Sequence, residues 1–286
     1  MQDYLTQLQL LINESLKEDV GSGDYSTLCC IPSEQRGTAI LKVKQDCVIA
    51  GVAVAETIFS QIEKNVVFKE YLKDGDIVKA GDIAFEIEAS IQTILKCERL
   101  VLNIMQRMSG IATLTNQYVI QISNYNTQIL DTRKTTPNFR LLEKEAVRIG
   151  GGKNHRFGLY DMIMLKDNHI DYCGGITRAI DLAWKYKKEN NLDIKIEIET
   201  RTLADVKIIC DFGKGKVDRI MLDNFSPEQI VAALEIINHN FETEASGGIN
   251  IHNIESYAKT GVDFISVGAL IHQAKSVDLS LKAKLL

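Results

Sequence analysis

The chain has 286 residues, 45% of them apolar and 25% charged, with a formal net charge of -5. That is enough for one large or two ordinary globular domains, and three prolines with no low-complexity run argue against long disordered linkers. The mild acidity argues against a dedicated nucleic-acid binder, and no apolar run approaches the ~20 residues that span a bilayer.

Residues 3 to 19 place Leu5, Leu8, Leu11, Ile12 and Leu16 at helical spacing, so the chain opens on an amphipathic helix that "GSGDYST" ends. From about 38 to 95 short alternating runs such as "TAILKVKQDCVIAG" and "IAFEIEAS" read as strands, with Gly51, Gly75 and Gly81 between them and "VAVAETIFSQI" as a helix. This is a small α+β unit. A long helix follows, from about 90 to 123, in which Gly110 marks a close approach. Pattern alone reads its Glu98, Arg99 and Arg107 as a solvated face.

From 127 onward short apolar strands run up to Asp131, Lys166, Glu199, Asp223, Ser246 and Gly268. Helical segments at about 175–190, 202–212, 227–239 and 252–260 separate the later ones. Repeated β-α units make a parallel sheet. Six units cannot complete an eight-fold barrel, so the expected architecture is a reduced or open α/β barrel. The rival doubly wound sheet lacks a G-x-G-x-x-G after its first strand.

Active sites of α/β barrels lie at the C-terminal strand edge. Here that edge collects Asp131, Arg133, Lys134, Lys166, Asp167, Glu199, Asp223 and Ser246. Between the first two strands Lys and Arg outnumber Asp and Glu, with His155 and His169 as further donors. The glycines of "GGGKNHR" let a backbone approach a ligand, and arginine forks match carboxylates. Lys144, on the helix "LLEKEAVRI", reads as solvated. Glu197 and Glu199 share one strand face, the inside of a barrel, and Asp223 ends the next strand. Such carboxylates suit Mg²⁺, or are neutralised by Lys134 or Lys166. Ser246, Gly247, Gly248 and Gly268 suit a phosphate. The expected ligands are anions: a polycarboxylate, a phosphorylated sugar, or both.

The stretches "DTRKTTP", "AVRIGGGKNHRFGLYDMIMLKDNHI", "IEIE", "IMLDN", "EASGGI" and "ISVGAL" resemble quinolinate phosphoribosyltransferase, and the resemblance covers nearly the whole chain. It implies an N-terminal α/β sandwich over 1–112 with 271–286 returning to it, and an open α/β barrel of the type II phosphoribosyltransferase kind over 113–270. It implies transfer of a phosphoribosyl group from phosphoribosyl pyrophosphate to quinolinate with loss of CO₂, in NAD biosynthesis, with Mg²⁺ as cofactor. It also implies a homodimer at least, with each site completed by the neighbouring subunit.

By the same resemblance, Arg99 reaches quinolinate from the partner subunit, and Arg133, His155 and Arg156 form the quinolinate pocket with Lys166 beside it. Lys134 lies near the ribose and pyrophosphate. Glu199 and Asp223 engage the ribose hydroxyls and the metal, and Ser246, Gly247, Gly248 and Gly268 form the 5′-phosphate loops. Asn138, Phe139 and Ile149 depart from the family's usual residues and touch no motif cation. A non-catalytic anion-binding protein is the rival from another class. The six cysteines, Cys29, Cys30, Cys47, Cys97, Cys173 and Cys210, form no C-x-x-C pair, and the first twenty residues lack a basic leader, so reduced thiols in a cytoplasmic protein are expected.

Overall fold

The structure, a computed structural model, describes residues 4–284. Two compact units are present. The first gathers the chain up to Asn116, Thr135–Gly151 and the chain from Leu270 on; the second gathers Gln117–Lys134 and Gly152–Ala269. The boundaries thus differ from the sequence reading in placing residues 135–151 with the first unit rather than inside the barrel domain.

The first unit begins with helices α1 (Tyr4–Val20) and α2 (Tyr25–Cys30). Residue 3, which the sequence pattern puts in the first helix, lies outside the described residues. Only Leu8 and Ile12 of the α1 apolar stripe are fully buried, while Leu5 is exposed. Strands β1 (Arg36–Val43) and β2 (Cys47–Val48), helix α3 (Val52–Ile62), then β3 (Val67–Glu70), β4 (Ile77–Val78) and β5 (Ile83–Ser90) lead into the long helix α4 (Ile91–Gln121). The main sheet is antiparallel, with Leu41 opposite Phe85 and Ala39 opposite Ile87. Period-two alternation puts Ala39, Leu41 and Val43 on one buried face, joined by Phe85 and Ile87, and the Phe59 ring of α3 meets Phe85 edge-on.

The second unit starts with β6 (Gln128–Leu130); the chain then contributes α5 (Arg140–Ile149) to the first unit before returning as β7 (Met162–Leu165). Helices α6 (Asp167–Cys173) and α7 (Ile176–Glu189), β8 (Lys195–Thr200), α8 (Leu203–Phe212), β9 (Arg219–Asp223), α9 (Pro227–Ile237), β10 (Glu242–Ser246), α10 (Ile254–Ala258) and β11 (Phe264–Ser266) follow. The six strands form one all-parallel sheet in the order β6-β11-β10-β9-β8-β7. Its end strands, β6 and β7, do not pair. The segment ahead of β7 lies along β6 instead: the Lys153 amide donates to the Ile129 carbonyl at 2.8 Å and the Asp131 amide to the Lys153 carbonyl at 3.1 Å. This is an open barrel, as the count of β-α units requires. Thr202 and Ser226 start α8 and α9 with reciprocal capping boxes, and Pro227 sits in the first turn of α9.

The chain closes on α11 (Ala269–His272) and β12 (Leu279–Ala283), which pairs antiparallel with β1 and sets Leu281 opposite Leu41. This returning segment is latched to α4. The Val277 amide donates to the Gln106 carbonyl, and Gln106 Nε2 to the Leu279 carbonyl. Gly110 lets the two backbones meet, because a β-carbon there would run into the Lys275 carbonyl oxygen. Helix propensity alone would favour alanine at this position. The contact decides the sign: Gly110→Ala should lose about 1–3 kcal/mol of stability by overpacking, measured by denaturant unfolding.

Candidate active site

The C-terminal edge of the parallel sheet is where the predicted residues of the second unit collect. Asp131, just past β6, is fully buried, and its Oδ1 accepts the His155 amide at 2.9 Å. With the Lys153 bridge this pins the 153–156 segment to the first strand. The Arg133 Nε is buried and has no hydrogen-bond partner among the described residues. The Arg156 guanidinium donates to the Met162 carbonyl at 3.3 Å. Burial, and then the charge of Arg133, lower the Arg156 pKa, while Glu197 and Asp161 act the other way. Two neighbouring guanidiniums that repel each other are complementary to a ligand with two carboxylates.

His155 is buried, with Nε2 at 3.0 Å from Glu197 Oε2 and 3.3 Å from Glu244 Oε2. Burial alone would lower its pKa, but the hydrogen bonds and charges of the two carboxylates outweigh that and raise it to about 9. The Arg156 amide, donating to Nδ1 at 2.7 Å, opposes the gain, since an accepting nitrogen cannot also hold a proton. The ring therefore keeps its proton on Nε2, toward the carboxylates. His155, expected to line the ligand pocket, points its Nε2 into the barrel interior.

The second group sits on β8 and β9. Lys166 Nζ lies 4.0 Å from Glu199 Oε2. Burial, then the charge of Asp223, raise the Glu199 pKa above the ordinary carboxylate range, with Lys166 partly offsetting them. Two carboxylates at the rim of the sheet, the charge of Asp223 opposing ionisation of Glu199, fit a hard divalent cation that keeps other oxygen ligands. Asp223 is held by Asn224, whose Nδ2 donates to Asp223 Oδ2 at 2.6 Å. The Asn224 amide also donates to the Ser246 carbonyl, and its backbone takes a positive φ of 58°. A β-carbon on Gly247 would collide with the Asn224 side chain, and Gly247 and Gly248 both have positive φ. Asn224 thus couples the acidic strand end to the glycine turn, a role the motif "IMLDN" did not disclose. Lys134 is exposed, and Gly268 follows β11 at the same strand edge. A cleft of about 510 Å³ opens beside Glu199, lined by Asp171, Arg201 and Asp205, and holds none of the other predicted residues.

Some expectations need correction. Lys144 is 1% exposed, so it is buried rather than solvated. Arg107 is not on a solvated face: it donates to buried Glu143 and to the carbonyls of Ile271 and Ala274. Gly150 serves packing within the first unit, because a β-carbon there would strike the Ala112 carbonyl. His169 accepts the Lys166 amide through Nδ1 at 3.0 Å, capping α6 and leaving its Nε2 as the donor. Arg140 Nε donates to Thr135 Oγ1. Arg99, by contrast, is exposed on α4 in the first unit, as the helical pattern reads it.

Two family models match. The N-terminal domain of quinolinate phosphoribosyl transferase matches residues 24–109 and the C-terminal domain matches residues 111–282. The chain belongs to the quinolinate phosphoribosyltransferase family. A probable nicotinate-nucleotide pyrophosphorylase (carboxylating) of Bacillus subtilis is 40% identical, with 98% of this chain and 94% of that protein covered. The chloroplastic nicotinate-nucleotide pyrophosphorylase (carboxylating) of Arabidopsis thaliana is 42% identical, with 96% of this chain and 82% of the relative covered. The crystal structure of NadC from Streptococcus pyogenes superposes with a TM-score of 0.90 at 38% identity, covering 99% of each chain. As a quinolinate phosphoribosyltransferase relative over nearly its whole length, the chain has both the small sheet unit and the open parallel barrel of that family.

Proposed function

We infer that this protein transfers the phosphoribosyl group of phosphoribosyl pyrophosphate to quinolinate, releasing pyrophosphate and CO₂ and forming nicotinate mononucleotide. The supporting observation is the grouping on one sheet edge of the Arg133–Arg156 pair with Lys166, Glu199 and Asp223. Quinolinate labelled at its 2-carboxylate, incubated with phosphoribosyl pyrophosphate, should release labelled CO₂ in step with nicotinate mononucleotide. Turnover of another acceptor with no CO₂ from quinolinate would overturn the reading.

In this mechanism Arg133, Arg156 and Lys166 hold the two adjacent carboxylates and aim the pyridine nitrogen. The nitrogen lone pair forms the bond to the anomeric carbon as the bond to pyrophosphate breaks. Glu199 and Asp223 stabilise the oxocarbenium-like charge on the ribose, and Lys134 meets the departing pyrophosphate. Mg²⁺, held by Glu199 and Asp223, would supply charge neutralisation for that leaving group. Ser246, Gly247, Gly248 and Gly268 receive the 5′-phosphate. The ring nitrogen, now cationic, draws the electron pair left at C2 when CO₂ departs, and a proton then takes its place. No second organic cofactor is needed.

The site is completed, in this reading, by Arg99 of a second copy in a homodimer. Arg99→Ala and Arg133→Ala should each be inactive alone. After subunit exchange an equal mixture should regain about a quarter of wild-type activity, since one site of each mixed dimer is intact. No recovery after verified exchange counts against the shared site. A cytoplasmic location is part of this reading, supported by the free thiols of all six cysteines. Among the described residues no helix is long and apolar enough to cross a membrane.

A further inference from the structure

A row of charge runs from the surface into the interior of the second unit, and the mechanism above uses only its end. It begins with Lys195, whose Nζ lies 2.6 Å from Glu242 Oε1. Arg219 donates from Nε and Nη2 to Glu242 Oε2, and from Nη1 to Glu244 Oε2 at 2.9 Å. Its guanidinium also lies 4.1 Å from the centre of the Phe264 ring. Glu244 in turn faces His155, and His155 receives the Arg156 amide. Arg219 is 6% exposed and Glu244 0%.

Burying such ions is costly, and apolar residues of similar volume often serve a fold as well or better. The row needs another reason, and its direction supplies one. It leads to the backbone of Arg156 and not to Lys166, Glu199 or Asp223. Of the two carboxylates at His155, Glu244 is the anchored one. Glu197 lies closer to Nε2, at 3.0 Å, but beyond His155 neither of its oxygens has a hydrogen-bond partner among the described residues, whereas Glu244 Oε2 is clamped by Arg219.

We propose that Glu244, clamped by Arg219, is a positioning residue for quinolinate: it fixes the His155 ring, whose Nδ1 fixes the Arg156 backbone and so aims the Arg156 guanidinium. The inference rests on the assignment of Arg156 to quinolinate made above. It predicts a loss confined to one substrate. Glu244 shares β10 with Ser246, so a general disturbance of that strand would reach the phosphoribosyl pyrophosphate site as well.

Glu244→Gln keeps the shape and removes the charge. It should raise the quinolinate KM, and the quinolinate Kd by calorimetry, about tenfold, with the KM for phosphoribosyl pyrophosphate changed less than about twofold. In a His155→Asn background the same change should add less than about twofold, because the path runs through the ring. Should Glu244→Gln fail to fold, Glu244→Leu with Arg219→Met removes both charges at similar volume and should show the same quinolinate-selective loss. Equal rises in both KM values, or unchanged quinolinate affinity while Arg156→Ala abolishes binding, overturns the positioning role alone. Arg156→Ala with normal quinolinate affinity overturns the assignment of Arg156, and the inference with it.

Discussion

Glu143→Ala should cost about 3–5 kcal/mol of stability, the loss expected when one partner of a buried ion pair is removed. Glu143 is 0% exposed and serves four donors. Its Oε1 receives Arg107 Nε at 3.0 Å, Arg107 Nη2 at 2.8 Å and Thr136 Oγ1 at 3.0 Å, while Oε2 receives the Thr136 amide at 2.8 Å. Truncation strands a largely buried guanidinium and releases the start of the 135–139 loop. Arg107 keeps only its bonds to the Ile271 and Ala274 carbonyls. Denaturant unfolding should show a large fall in midpoint. The double variant Arg107→Met with Glu143→Met should recover most of it, since no charge is then left unpaired. A loss under about 1 kcal/mol for Glu143→Ala would mean that the pair contributes no more than an exposed one.

Most of this architecture was legible because its signals are local. Each barrel strand is a short apolar run ending in a polar residue, so Lys166, Glu199, Asp223 and Ser246 could be placed at one sheet edge from spacing alone. The β8 alternation likewise put Glu197 and Glu199 on one face, and both are buried. What escaped depends on partners far apart in the chain. Arg107 and Lys144 carry ordinary surface-type side chains on helical patterns, and nothing near them in sequence announces that the fold buries them. Arg219 and Glu244 find each other only because β9 and β10 are sheet neighbours. Gly150 looked like part of a ligand-binding glycine run because its neighbours are glycines too. Its contact is with Ala112, on a helix whose proximity no local pattern encodes. The resemblance implied that 271–286 returns to the first unit, but β12 was not read as a strand for the same reason: five residues of weak alternation gain meaning only by pairing with β1.

Glu199→Gln should produce two opposite results, a large loss of activity and a gain in stability. On the activity side, the proposed role of Glu199 in stabilising developing charge predicts a kcat lower by about 10²–10³-fold. On the stability side, burial and the neighbouring charge of Asp223 raise the folded-state pKa of Glu199. A raised carboxylate contributes stability that is fully present below its unfolded pKa, about 4.3, and lost as pH rises through the folded value. Above the folded value the ionised side chain is therefore a liability to the fold, which glutamine removes without changing the shape. The Tm of the variant should exceed that of the wild type at pH 7, and the two should converge as pH falls toward 4. In the proposed mechanism Glu199 helps to hold Mg²⁺, so adding Mg²⁺ with phosphoribosyl pyrophosphate should then reverse the order by stabilising the wild type more. A variant less stable than the wild type at every pH would assign Glu199 a structural role in place of a catalytic one.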